Sequence, residues 1–178
     1  MPTHIAMLRA VNVGGRFMKM ADLVRCLEKA GLADVETYIQ TGNVRFTTST
    51  RSRAKVERHL EEALLACFGF EVVSIVFSPA ELTRIHQDAG DFPVPLPGTP
   101  RQYVAFLKSE PSEEAVRRIA DWSFDGERAI VQRRAVHIWL TVPSHQAKTT
   151  NARIERAVGP ATTRDLKVVA RLAERWGC

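Results

Sequence analysis

The sequence predicts an α+β fold in which one β-α-β-β-α-β unit is used twice, with an extra helix at the C-terminus. Three observations carry this. Short apolar runs of strand character alternate with amphipathic helical stretches in that order from Ile5 to Phe77. A stretch holding Gly90, Pro93, Pro95, Pro97, Gly98 and Pro100 then interrupts the chain. Beyond it the same order begins again, and Val104-Ala105-Phe106-Leu107-Lys108 lies over Ile5-Ala6-Met7-Leu8-Arg9, apolar for apolar and cation for cation.

In the first half, Ile5 to Val11 reads as a buried strand running into the loop Asn12-Val13-Gly14-Gly15. Met20, Leu23, Val24, Leu27 and Ala30 recur at helical spacing until Gly31 stops the helix. Val35–Gln40 and Val44–Thr47 are β-rich and read as a hairpin closed by Thr41-Gly42-Asn43. Val56, Leu60, Ala63, Leu64 and Cys67 mark a second helix, and Val72–Phe77 a fourth strand. Ser78-Pro79-Ala80-Glu81 is a capping box with proline at the first helical position, opening a connecting helix to about Asp88.

In the second half, a strand at Val104–Lys108 precedes a helix from Ser112 to Ala120. Ile130–Gln132 and Val136–Trp139 form a hairpin closed by Arg133-Arg134-Ala135, which sets Gln132 opposite Gln40. A helix from about Thr150 to Val158, an extended piece at Ala161–Arg164 and a last helix through Val169, Leu172, Ala173 and Trp176 complete the chain. This order is the ferredoxin-like split βαβ pattern, here duplicated. The expected division is residues 1–89 and 90–178, packed as one unit. The connection Asn12–Lys19 is longer than its counterpart Ser109–Pro111, and a loop that closure of the fold does not require is a place to look for function.

A chain of 178 residues, 45% hydrophobic and 25% charged, builds an ordinary globular core and is neither disordered nor fibrous. Its net charge of +5 is unevenly spread. Residues 1–89 carry 11 basic and 10 acidic side chains, residues 90–178 carry 14 and 10, and from Lys148 onward the count is 7 against 3. The three cysteines, Cys26, Cys67 and Cys178, show no short spacing from which a metal knuckle or disulfide framework could be drawn, and Cys26 and Cys67 read as buried thiols on apolar helix faces. With no signal-peptide core and no long apolar stretch, the expected setting is a reducing cytoplasm, away from the membrane.

The chemistry-bearing signals are modest. The five histidines are scattered, no nucleophile elbow is present, and Glu61-Glu62 and Glu113-Glu114 read as solvated helix faces. Gly14-Gly15 has the spacing of neither a dinucleotide fingerprint nor a P-loop, and a flexible turn explains it equally well. Arg9 closes an apolar strand, where a cation needs a carboxylate or a ligand. Lys148-Thr149-Thr150-Asn151 and Thr162-Thr163-Arg164-Asp165 open helices, where hydroxyls, amides and cations make either anion sites or plain caps. The aromatic pattern of an RNA-recognition sheet is missing.

Taken together, Arg9-Ala10-Val11-Asn12-Val13-Gly14-Gly15, Thr37-Tyr38-Ile39-Gln40-Thr41-Gly42-Asn43-Val44, Lys148-Thr149-Thr150-Asn151 and Ala161-Thr162-Thr163-Arg164 resemble the signature segments of the bacterial domain of unknown function 1697 family. That resemblance implies the duplicated ferredoxin-like fold and no activity. After Arg164 the family usually carries Asn-Trp-Asn, where Asp165-Leu166-Lys167 stand here, so an aromatic is lost. Because the shared residues are small and polar and cluster at strand ends, the hairpin and helix starts, the expected site is a cleft between the halves. It would gather Arg9, Asn12, Gly14, Gly15, Gln40, Asn43, Lys148, Asn151, Thr163 and Arg164 around an anionic small molecule, a nucleotide or phosphorylated metabolite. The alternatives are an enzyme using Lys148 or Asp165 on a small phosphorylated or carboxylated substrate, a nucleic-acid module using the basic C-terminal segment, and a homo-oligomer scaffold. No cofactor motif is present, which leaves the cofactor unknown.

Overall fold

The computed structural model describes all 178 residues, and its contacts divide them into two units, Met1–Glu81 with Cys178, and Leu82–Gly177. The first contains β1 (Thr3–Leu8), α1 (Met20–Lys29), β2 (Ala33–Tyr38), β3 (Asn43–Thr47), α2 (Arg53–Phe68) and β4 (Ser74–Phe77). Its sheet is antiparallel in the order β2-β3-β1-β4. After α3 (Pro79–Asp91), the second unit continues with β5 (Arg101–Leu107), α4 (Glu113–Ala120), β6 (Glu127–Gln132), β7 (Ala135–Leu140), α5 (Asn151–Val158), β8 (Ala161–Asp165) and α6 (Leu166–Trp176). Its sheet runs β6-β7-β5-β8, the same topology. The fold is the duplicated ferredoxin-like α+β architecture with an added C-terminal helix.

The duplication holds at the level of single hydrogen bonds. The Leu8 amide donates to the Gly42 carbonyl and the Arg9 amide to that of Val73; the Leu107 amide donates to Arg134 and the Lys108 amide to Pro160. Leu8 and Arg9 therefore superpose on Leu107 and Lys108, as the apolar overlay requires. In each unit the central strand is buried on both faces, which is why it reads as an uninterrupted apolar run. Ala6 and Leu8 join Leu23, Leu27, Leu60 and Leu64 in one core, and Ala105 and Leu107 join Ile119, Val136, Ile138 and Ile154 in the other.

Both hairpins differ from the sequence expectation. The first turn is the four residues Ile39–Gly42, with Asn43 already paired to Tyr38 and Met7. The second is only Arg133-Arg134, with Ala135 paired to Gln132. Gln132 thus occupies the strand position of Tyr38, and Gln40, in the longer turn, has no counterpart. β1 also stops at Leu8, because the backbone turns at Ala10 and Asn12, both with positive φ. The connection that follows, Arg9–Lys19, is eleven residues against five for Lys108–Ser112.

Gly42 is the tightest point of the first turn. Its φ is +78°, and a Cβ there would sit 2.8 Å from that of Leu8. Gly42→Ala is expected to cost about 2 kcal/mol in a urea unfolding curve, from left-handed strain plus overlap.

The capping box forms as read: the Ser78 amide donates to the Glu81 carboxylate (2.8 Å) and the Glu81 amide to the Ser78 hydroxyl (3.2 Å). Thr162–Arg164 belong to β8 instead of opening a helix, and Asp165 alone caps α6, accepting from the Lys167 amide at 2.9 Å. At the edge strands β4 and β8, carboxylates take up outward amides. The Ser74 and Val76 amides of β4 donate to Glu61 and to buried Glu57, and the Ala161 amide of β8 donates to Glu155. Glu61, expected as a merely solvated side chain, therefore occupies a donor that another chain's strand could have paired with.

The cysteine reading is corrected as well. Cys26 and Cys67 are joined in a disulfide, and Cys67 is exposed. The pairing is invisible in the spacing, since β2 and β3 separate α1 and α2 in the chain and only the fold brings the two helices together.

Candidate functional site

The two units divide the expected site residues. Arg9, Asn12, Gly14, Gly15, Gln40 and Asn43 lie in the first, and Lys148, Asn151, Thr163 and Arg164 in the second.

In the first unit the amides serve the protein's own backbone. The Asn12 side-chain nitrogen donates to the carbonyls of Met18 (3.1 Å) and Gln40 (2.7 Å), while its oxygen accepts from the Met18 amide (2.7 Å). Asn12 therefore pins the Arg9–Lys19 loop to the tip of the β2–β3 hairpin. Asn43 is fully buried and donates to the Tyr38 carbonyl and the Thr41 hydroxyl, closing the same tip. Gly14, Gly15 and Gln40 are exposed, with Val13 and Phe17 beside the glycines in the loop at 56% and 77% exposure. Arg16 lies over the Phe70 ring at 6.0 Å, and Arg9 is partly buried at the end of β1.

In the second unit a single carboxylate organises the segment before α5. Glu127, at the start of β6, is 3% exposed and accepts from the amides of Lys148 and Thr149, each at 2.7 Å. These are the donors the sequence offered to an external anion, and the protein fills them with its own. Burial pushes the Glu127 carboxyl up, but the Lys148 amide and the Thr149 hydroxyl and amide outweigh it and hold the group below its ordinary value. Sequence reasoning missed Glu127, although β alternation offers a signal: Ala129 and Val131, on the same face, pack against the core.

Next to that carboxylate, Thr150 caps α5 by accepting from the Arg153 amide (3.2 Å). Asn151 donates to the Ala161 carbonyl (3.0 Å) and accepts from the Thr163 hydroxyl (2.9 Å). These residues edge a cavity of about 220 Å³, lined by Tyr103, Ser144, Thr149, Thr150, Asn151 and Thr163 over a floor of Ile138 and Leu140. Lys148 is exposed beside it, its ammonium 5.7 Å from the centre of the Phe124 ring, and Arg153 stacks over Phe124 and Trp122 at 5.0 and 5.9 Å.

Arg164 does not join that group. It pairs with Val104 in the strand register, so its side chain leaves the sheet on the face opposite to Thr163, and its guanidinium donates to the Thr162 hydroxyl (2.8 Å). Burial lowers its pKa to about 10, which leaves it charged at neutral pH. Asp165 is no match for a base that must take a proton at neutral pH. Burial pushes its carboxyl up, but the Lys167 amide and the Arg101 guanidinium at 2.7 Å outweigh it and hold the group low.

No helix is long and apolar enough to cross a membrane. The sequence matches the family model described as protein of unknown function (DUF1697) over residues 1–137, so Lys148–Asn151 and Ala161–Arg164 lie outside the matched range. No curated protein matches the chain in sequence. Among solved structures it is similar to the conserved bacterial protein SP0830 from Streptococcus pneumoniae, with a TM-score of 0.78 over 98% of each chain at 18% identity, a likeness of fold alone.

Proposed function

Because the chain belongs to the DUF1697 family of proteins of unknown function, its activity has to be read from its own residues, and we propose that it binds a small anionic ligand, a phosphorylated metabolite, in the cavity beside α5. The observation that carries this is the wall of that cavity. Tyr103, Ser144, Thr149, Thr150, Asn151 and Thr163 line it over an apolar floor, and Lys148, next in the chain to Thr149, is exposed with its ammonium over the Phe124 ring. Polar side chains around an apolar base suit a ligand with a hydroxylated body and a charged end. The volume of about 220 Å³ favours a sugar-phosphate-sized molecule over a whole nucleotide. Glu127 supports the reading, since it holds the Lys148–Thr149 segment in place without lining the cavity itself.

The reading is tested by thermal shift against inorganic phosphate, sugar phosphates and nucleoside monophosphates. A ligand at a hundred times its Kd is expected to stabilise the fold by about 2.7 kcal/mol, a shift of several degrees. Thr163→Val and Lys148→Ala are expected to reduce that shift, and no response to any phosphorylated probe would sink the proposal. Trp122 and Phe124, stacked with Arg153, favour a second reading, a single-stranded nucleic acid lying on these rings. Its affinity would fall steeply as salt rises, whereas binding inside the cavity would not follow so steep a slope.

A further inference from the structure

We infer that Cys26 and Cys67 form a reversible two-thiol redox site, entered through Cys67, that controls how firmly the C-terminal turn of α2 is held. The two sulfurs are not equivalent. Cys26 lies on α1 at 4% exposure, packed in the core with Leu23 and Leu27, while Cys67 is exposed one residue before the end of α2. Their Cα atoms are 6.2 Å apart, a spacing that disulfides ordinarily bridge. Both redox states are accommodated. The Cys26 sulfur is 3.4 Å from the Ala63 carbonyl oxygen, an acceptor that a thiol at Cys26 would use once the bond is broken.

The exchange runs with a low-molecular-weight disulfide such as glutathione disulfide. The Cys67 thiolate attacks one of its sulfurs, forming a mixed disulfide and releasing one glutathione thiolate. Cys26 then gives up its proton to solvent, attacks the Cys67 sulfur and displaces the second glutathione. Two electrons pass from the cysteine pair to the glutathione disulfide, and excess reduced glutathione reverses both steps, its attack falling on the Cys67 sulfur because Cys26 is covered. The consequence falls on α2 from its middle to its C-terminal end, beside Cys67. There Arg58, Glu61, Glu62 and Leu65 line a cavity of about 330 Å³ with Glu71, Val72 and Val73, and Glu61 holds the Ser74 amide of the edge strand. With the bond broken, the covalent tie between α1 and the end of α2 is lost, and packing and the Glu61–Ser74 hydrogen bond remain.

The test uses the full chain carrying Cys178→Ser, so that the free C-terminal thiol cannot cross-link chains. Equilibrated in native glutathione buffers without denaturant, the reduced form is expected to melt roughly 5–10 °C below the oxidised form, the effect of opening a 41-residue closed loop. Hydrogen exchange in residues 62–74 is expected to rise on reduction. Added Cys26→Ser should trap the glutathione adduct on Cys67, and added Cys67→Ser should leave Cys26 unmodified and the melting temperature indifferent to redox poise. The proposal is overturned if the pair exchanges only after unfolding, if the adduct accumulates on Cys26, or if the reduced and oxidised forms melt together.

Discussion

Glu127→Ala is expected to destabilise the protein by about 4 kcal/mol. Two amides at 2.7 Å lose a charged acceptor at once, and the Thr149 amide is left in a position from which water is excluded. Glu127→Gln keeps the shape and one acceptor oxygen, so it should recover about half of that loss. Urea unfolding monitored by tryptophan fluorescence checks both values. A second readout separates rim from core: if Glu127 organises the ligand cavity, the glutamine variant should remain folded yet lose much of its thermal response to sugar phosphates. An alanine variant as stable as the parent would mean that the Lys148–Thr149 segment finds other acceptors.

The next largest effect is in pH. His137 is fully buried on β7 between Phe92 (ring centres 5.0 Å apart) and Trp139 (6.4 Å), and neither ring nitrogen has a hydrogen-bond partner. Burial lowers its pKa from 6.5 to about 4, only partly opposed by the Asp88 carboxylate, which Arg133 engages at 2.9 Å. Above pH 6.5 the imidazole is neutral in both folded and unfolded chains and contributes no slope. Between pH 6.5 and 4 the unfolded chain takes up a proton that the folded one refuses, so stability falls as the pH falls, by about 3 kcal/mol over the window. His137→Leu removes both the titration and two unsatisfied buried nitrogens, and is expected to stabilise the fold, most of all near pH 4.5. Stability measured from pH 7.5 to 4.5 in both proteins would show this; a variant that keeps the parent's slope would place the acid sensitivity elsewhere.

Much of this architecture is local and therefore legible. The capping box at Ser78–Glu81 needs only four residues, the central strands announce themselves as apolar runs, and the repeat survives because equivalent positions meet equivalent neighbours. The hairpin tips were misread because a turn's length depends on strand register, and register is settled by which amides find partners. Asn43 looks like a turn residue in sequence, yet it pairs with Met7 and Tyr38.

The candidate site was legible only as an inventory. Asn12, Asn43, Asn151, Lys148 and Arg164 are the right residue types for holding an anion. What they do depends on what lies within about 3 Å, and those partners come from distant parts of the chain. Gln40 reaches Asn12 across 28 residues, Glu127 reaches Thr149 across 22, and Cys67 reaches Cys26 across 41. Periodicity, caps and the repeat are encoded over a few neighbouring positions, so the amino-acid order alone was enough for the fold and its duplication. Whether an amide is spent on the backbone or left to a ligand, and whether two sulfurs meet, depends on long-range packing, and there only the folded chain could decide.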